Sequence, residues 1–128
     1  MDIALGLDKN YIMQCGVVIY SICVNNRESD ISFHVVCDFD MSETSFQKLK
    51  ESLLDTNKRL FVYRIDSKIF ASYPNLNNTI DRYDMTAATY FRLFLSGGVI
   101  LPNGVDKLLY LDSDIIVRHS LVSLWDTD

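Results

Sequence analysis

The sequence predicts an α/β fold in which a mostly parallel sheet is flanked by helices. Its first half alternates in the order strand, helix, strand, helix, strand, and such alternation sets parallel strands side by side with right-handed crossovers and helices on the sheet faces. The strand candidates are short apolar runs bounded by polar loops, as expected of buried strands. The last of them, Lys107 to Leu111, delivers two carboxylates, Asp112 and Asp114, to the place where open parallel sheets hold their ligands.

Ile3 to Leu7 reads as a buried strand that breaks at Asp8, Lys9 and Asn10. From Tyr11 to Asn25 the apolar residues Ile12, Val17, Ile19, Tyr20, Ile22 and Val24 are mixed with Gly16 and Ser21, and the length favours a helix. The polar stretch Asn25 to Asp30 closes that unit as a loop. Ile31 to Val36 is the second strand, with Cys37, Asp38, Phe39 and Asp40 beyond it. Ser42 serves as an N-cap, Glu43 suits the positive end of a helix dipole, and Phe46, Leu49, Leu53 and Leu54 supply the spacing of an amphipathic surface helix. Arg59 to Ile65 is the third strand.

Between Ser72 and Asp84 the chain, with Pro74 and its Asn and Thr neighbours, reads as a long surface connection. Met85 to Leu95 is helical, capped by Asp84 or Thr86 and stopped by Gly97 and Gly98. Pro102, Asn103 and Gly104 then turn the chain into the strand that ends at Asp112. No internal repeat, low-complexity tract or linker interrupts this order.

With 128 residues, 48% of them hydrophobic and 23% charged, the chain fits one compact domain with a real core. A formal net charge of -5 with scattered Lys and Arg argues against nucleic acid as a partner. Cys15, Cys23 and Cys37 form an odd set without C-x-x-C spacing, which predicts buried free thiols in a reducing compartment rather than disulfides or zinc. The longest apolar stretch, Cys15 to Val24, is too short to span a bilayer and contains Ser21. No transmembrane segment is expected, and the first residues lack the basic start of a signal peptide.

The acidic pair carries the chemistry. Residues two apart in an extended segment face the same way, so Asp112 and Asp114 can converge on one point. Like charges held that close need neutralising, and a divalent cation does this best. Oxygen ligands without Cys or closely spaced His favour Mg²⁺ or Mn²⁺, ions that bridge carboxylates to substrate phosphates, so a nucleotide-linked substrate is the natural partner. Asp8, Asn10 and Tyr11 follow the first strand and lie along the same edge. Alone, Asp8 and Asn10 are also turn formers, Tyr11 a helix-entry packing residue, and Asp-x-Asp a short pattern that arises without metal. Arg92 stands alone among Tyr90, Phe91, Leu93, Phe94 and Leu95 in a helix with the composition of a buried one. It requires an anionic partner there, which a ligand or a core Asp can supply, or else it snorkels to water. His34 and His119 read as an ordinary strand and loop side chain.

Taken together these pieces resemble glycosyltransferase family 8, the retaining nucleotide-sugar enzymes that include bacterial lipopolysaccharide galactosyl- and glucosyltransferases. The matching residues are Met1 to Ala4 with Asp8-Lys9-Asn10-Tyr11, Phe33-His34-Val35, Ala88 to Leu93, and above all Lys107 to Val117 continuing into Ser120-Leu121 and Leu124-Trp125. The resemblance implies a GT-A fold, a Rossmann-like α/β domain of which residues 1–128 are the N-terminal nucleotide-sugar-binding part. It implies a UDP-hexose donor, UDP-galactose or UDP-glucose, a divalent cofactor, Mn²⁺ or Mg²⁺, and a glycan or lipid-linked acceptor such as lipopolysaccharide. By motif position Gly6, Asp8, Asn10 and Tyr11 hold the uridine end, with Tyr11 stacked on uracil and Asp8 accepting from its imide N–H. Arg92 steadies the donor sugar or the acidic motif, Asp112 and Asp114 ligate the metal, and the Ser113 backbone approaches the ribose. No catalytic nucleophile is implied. The implied location is cytoplasmic, at the inner face of a bacterial membrane, with any membrane contact made through sequence beyond Asp128.

The chain departs from the family in length. The family's domain continues with a His that completes the metal shell and with segments that build the acceptor pocket. The sequence is therefore expected to be a truncated, donor-binding portion, incomplete on the C-terminal side of its sheet, that transfers sugar weakly or not at all. Haloacid-dehalogenase phosphatases also place Asp-x-Asp after an apolar strand, but normally after the first strand of the domain. A calcium loop lacks an oxygen ligand at Ile116. A non-catalytic nucleotide-binding remnant is the remaining alternative.

Overall fold

The computed structural model describes residues 1–70, 88–95 and 104–127. Four strands, β1 (Asp2–Leu7), β2 (Ile31–Asp38), β3 (Lys58–Ile65) and β4 (Leu109–Leu111), form one sheet in the order β3-β2-β1-β4. Every pairing in it is parallel. The helices are α1 (Ile12–Asn25), α2 (Glu43–Glu51), α3 (Ala88–Leu95) and the short α4 (Val122–Trp125).

β1 and β2 are buried on both faces because they carry apolar residues at odd and even positions alike, whereas Arg59, Phe61 and Arg64 of β3 are exposed. Ile3, Leu5 and Leu7 of β1 and Phe33, Val35 and Cys37 of β2 join Val18, Ile19 and Ile22 of α1 and Phe46 and Leu49 of α2 in one core. Ala4, Val36 and Ile65 turn the other way and pack with Phe91 and Leu95 of α3. His34 also lies inside, with Nε2 2.8 Å from Asp2 Oδ1, Nδ1 2.9 Å from the Tyr63 hydroxyl, and its ring stacked on Phe61. It is a buried polar link across three strands, where the sequence suggested only an ordinary strand residue.

Several boundaries differ from those read in the sequence. β2 runs two residues further, through Cys37 and Asp38. Ser42 caps α2 as expected, its Oγ accepting from the Ser45 N–H at 3.2 Å. That helix nevertheless stops at Glu51, so Leu53 is half-buried and Leu54 exposed beyond its end. At Gly16 a Cβ would stand 3.0 Å from Ser52 Oγ, just past the end of α2, a contact tight enough that the Ser side chain would have to give way. Asn25 belongs to α1, and Asn26, expected in a surface loop, is its buried C-cap. β4 is only three residues long, so Asp112 and Asp114 stand on a turn past the strand rather than in an extended segment. The connection over Ser72–Asp84, the helix start at Met85, the caps Asp84 and Thr86, and the breakers Gly97, Gly98, Pro102 and Asn103 lie outside the described residues.

Candidate functional site

The strand order places the first and last strands side by side. The chain runs outward from β1 to β3 and then returns to β4 on the other side of β1, so connections leave this junction in opposite directions and open a crevice at the carboxyl ends of the two strands. Register pairs Leu5 with Leu111, which brings the Gly6–Asp8 exit of β1 beside the Asp112–Asp114 exit of β4.

Ser113 fixes the acidic turn. Buried at 8% exposure, it donates its hydroxyl to the carbonyl oxygen of Gly6. In α1 behind it, burial pushes the pKa of the Cys15 thiol up to about 12, an effect that the Ser113 side chain opposes. With the middle residue turned inward, Asp112 and Asp114 are both exposed. The two acids therefore flank a pinned turn residue rather than standing on the pleat of a strand.

Arg92 approaches from α3 and lies with Cζ 5.5 Å from the centre of the Tyr110 ring. Its side chain is exposed, which corrects the expectation of a buried cation: the apolar face of α3 is carried by Phe91 and Leu95 instead. Tyr110 was not singled out in the sequence. Burial raises its hydroxyl pKa, the Arg92 charge and a backbone hydrogen bond at Gly6 oppose this, and Asp112 and Asp114 add to it. One phenol thus senses Arg92, Gly6 and both acids, and its alternation with Leu109 and Leu111 was the only sequence clue.

On the β1 side, Asp8 Oδ1 accepts from the Asn10 N–H at 2.7 Å and the Asp8 carbonyl accepts from the Tyr11 N–H at 3.1 Å. These bonds fold residues 8–11 into a tight turn at the start of α1, with Asn10 and Tyr11 exposed. The turn-former reading of Asp8 and Asn10 is therefore correct in itself. The link from this turn to the acidic one runs through the sheet, from Gly6 to Ser113. Lys9 pairs with Asp40 at 3.8 Å, tying the turn to the loop after β2. A larger groove of about 750 Å³ lies between α1 and α2, lined by Asn10, Met13, Tyr20 and Lys48 among others. Neither Asp112 nor Asp114 lines it, although Asn10 does, and a smaller hollow of about 280 Å³ that shares Met13 and Val17 with it is lined by Asp114. Among the described residues no three of His, Cys, Asp and Glu gather into a metal-binding cluster.

Comparison with known proteins bears on the family and the fold. The chain is 35% identical to the lipopolysaccharide 1,3-galactosyltransferase of Salmonella typhimurium over 125 residues, 98% of this chain and 34% of that protein. It is 31% identical to the lipopolysaccharide 1,2-glucosyltransferase of Escherichia coli K12, covering 97% of this chain and 34% of that one. The chain thus spans about a third of the length of these curated relatives. Among solved structures, galactosyltransferase LgtC in complex with donor and acceptor sugar analogs superposes with a TM-score of 0.81 at 32% identity, over all of this chain and 43% of that one. The sheet and its helices correspond to the N-terminal part of the GT-A fold. Residues 2–128 match the glycosyl transferase family 8 throughout, and it is to this family that the chain belongs.

Proposed function

We propose that residues 1–128 form the donor-binding part of a retaining hexosyltransferase that uses UDP-galactose or UDP-glucose, with a glycan such as lipopolysaccharide as acceptor. The observation that carries this reading is the turn Asp112–Asp114, two exposed carboxylates held by Ser113 on Gly6 where β1 and β4 part. The relatives named above act on lipopolysaccharide, and one solved relative holds donor and acceptor analogs, which supports the substrate class.

The donor set fits a hard divalent ion. Two exposed carboxylates with no thiolate or imidazole beside them among the described residues suit Mn²⁺ or Mg²⁺, ions that take few protein ligands and complete their shell with phosphate and water. When bound, the ion supplies Lewis-acid neutralisation of the charge that builds on the departing UDP. Asp112 and Asp114 would hold it. Asp8, Asn10 and Tyr11 take the uracil, Gly6 and Ser113 leave backbone groups close to the ribose, and Arg92 adds positive charge near the diphosphate end. The three free thiols, all buried, support a reducing, cytoplasmic setting. No helix among the described residues is long and apolar enough to cross a membrane.

We assign donor binding, rather than turnover, to these 128 residues, because they align with only a third of the relatives' length. Calorimetry with UDP, with and without Mn²⁺, tests this. Mn²⁺-dependent binding that disappears in Asp112→Asn and Asp114→Asn is the expected result. Binding indifferent to Mn²⁺ and to both substitutions leaves a nucleotide-binding remnant without a metal-dependent donor site. Incubation with UDP-galactose or UDP-glucose, Mn²⁺ and lipopolysaccharide should give little or no product.

A further inference from the structure

The acidic turn is anchored on one side by Ser113 and Gly6. A second anchor lies further along the chain, at Val117, three residues past Asp114. The peptide groups of Val117 are not held by a neighbouring strand. Its N–H donates to Ser21 Oγ at 3.1 Å and its carbonyl accepts from Asn25 Nδ2 at 3.0 Å. Ser21 and Asn25 stand four residues apart on α1, so their side chains lie on one face of the helix, one turn apart. Each is oriented by the helix itself, Ser21 Oγ donating to the Val18 carbonyl at 2.8 Å and Asn25 Nδ2 donating to the Ser21 carbonyl at 2.9 Å. The next residue, Asn26, accepts through Oδ1 from the Leu121 N–H at 2.7 Å and from Ser120 Oγ at 3.2 Å. The side chains of Val117 and Leu121 are buried in the core on the same side of the sheet.

We propose that Ser21 and Asn25 are positioning residues for the acidic turn: they take the place of a partner strand and clamp both peptide groups of Val117. Together with the Ser113 hydroxyl this gives the segment two fixed points, Ser113 and Val117, with Asp114 between them and Asp112 directly before the first. Carboxylates placed in this way lose less freedom when they close on a cation, and groups that orient ligands from behind typically alter metal affinity about 10- to 100-fold when removed. The role rests on the donor-site reading given above, but the clamp can be measured without any metal.

The test compares the wild-type chain with Ser21→Ala, Asn25→Leu, the double variant and the conservative Ser21→Thr. Hydrogen exchange reads the clamp directly. Exchange of the Val117 amide and its neighbours over 112–121 should rise about tenfold or more in the double variant, while β1 and β2 keep wild-type protection. Mn²⁺ titration followed by electron paramagnetic resonance in the presence of UDP should show about tenfold weaker uptake, with metal-free UDP binding within twofold of wild type. Ser21→Thr, which keeps the hydroxyl, should restore both readouts. Unchanged exchange over 112–121, an equal loss of metal-free UDP binding, or no rescue by Thr overturns the proposal. A wild-type chain that shows the protected segment but takes up no Mn²⁺ with UDP overturns the donor-site reading. Mn²⁺ uptake that persists undiminished in the double variant overturns only the role of Ser21 and Asn25.

Discussion

The hydroxyl of Ser113 donates to the carbonyl oxygen of Gly6, joining the exit of β4 to the exit of β1 across most of the chain. Because Ser113 is buried, removing its hydroxyl leaves a carbonyl oxygen short of a donor. Ser113→Ala should therefore lower stability by about 1 kcal/mol, read from the midpoint of urea unfolding. The same change loosens the turn that carries both acids, so Mn²⁺-dependent UDP binding should weaken by more than the stability change alone accounts for. Binding as tight as wild type would show that the pin serves only the fold.

Arg92 and Tyr110 form a second test. The guanidinium sits over the phenol ring at 5.5 Å, and the Arg92 charge is felt at the same hydroxyl as those of Asp112 and Asp114. On the donor-site proposal, this predicts that Arg92 acts with the acidic turn rather than on the donor sugar alone. Arg92→Gln should thus reduce Mn²⁺-dependent binding of UDP and of UDP-hexose by the same factor. A loss confined to UDP-hexose would assign Arg92 to the sugar instead. Tyr110→Leu, which removes the ring but not the charge, should cost about 0.5–1 kcal/mol of stability through the lost cation–π contact.

His34 shows what a sequence hides. Its ring is held at both nitrogens, by Asp2 and by Tyr63, and stacked on Phe61. A ring protonated at Nε2 satisfies both contacts, donating to Asp2 and accepting from the Tyr63 hydroxyl. Tyr63→Phe keeps the stacking surface and removes only that hydroxyl. The buried Nδ1 is then unpaired, and the chain should lose about 1–3 kcal/mol, visible as a lower melting temperature. An unchanged melting temperature would mean that water replaces the hydroxyl.

The buried thiols predict an alkaline limit. Burial raises the pKa of Cys15 and of Cys37 from 9.0 to about 12. Between those values the folded chain keeps protons that the unfolded chain has released. Fewer protons are then bound in the unfolded state, so unfolding free energy falls as pH rises. For Cys15 the contribution is intact below pH 9 and is lost progressively from pH 9 to about 12, with a slope of up to about 1.4 kcal/mol per pH unit. Urea midpoints measured from pH 8 to 11 should decline, and Cys15→Ala should flatten that decline. At pH 8 the thiols of the folded chain should react slowly with iodoacetamide.

The order of elements was legible because each depends on local signals: apolar runs for strands, the Ser42 cap for α2, length for α1. Burial on both faces makes the runs of β1 and β2 nearly continuous, and β3, though partly exposed, is dense in apolar and aromatic residues, which is why β1 to β3 were found within a residue or two. The ends were less legible where tertiary contacts decide them. α2 stops before Leu53 because its last turn closes through Ser52, and no residue type in that stretch announces a stop. The acid pair was visible as a motif, yet its geometry was misread, since a three-residue β4 cannot be told from a longer strand when apolar residues continue to Val117. The hydrogen bonds along Ser113 to Val117 come from Gly6, Ser21 and Asn25. Such partners lie about a hundred residues away in sequence, and single-chain patterning carries no record of them.

Arg64 offers a last prediction, about the loop beside the β1 exit. From β3 its guanidinium donates to the carbonyls of Phe39 at 3.2 Å and Met41 at 3.0 Å, bonds Glu43, and lies 4.8 Å over the Phe46 ring. One fork thereby sets the loop after β2, and that loop carries Asp40, the partner of Lys9 in the turn 8–11. A Lys at this position has no planar fork and cannot reach the acceptors on both sides while stacking on the ring. Arg64→Lys and Arg64→Met should therefore destabilise the chain similarly, by about 1–3 kcal/mol. Their effect on UDP binding should be small, because the Lys9–Asp40 pair is exposed and contributes little. Full rescue by Lys would show that charge, not the fork, holds the loop; a large loss of UDP affinity would place the loop after β2 inside the donor site.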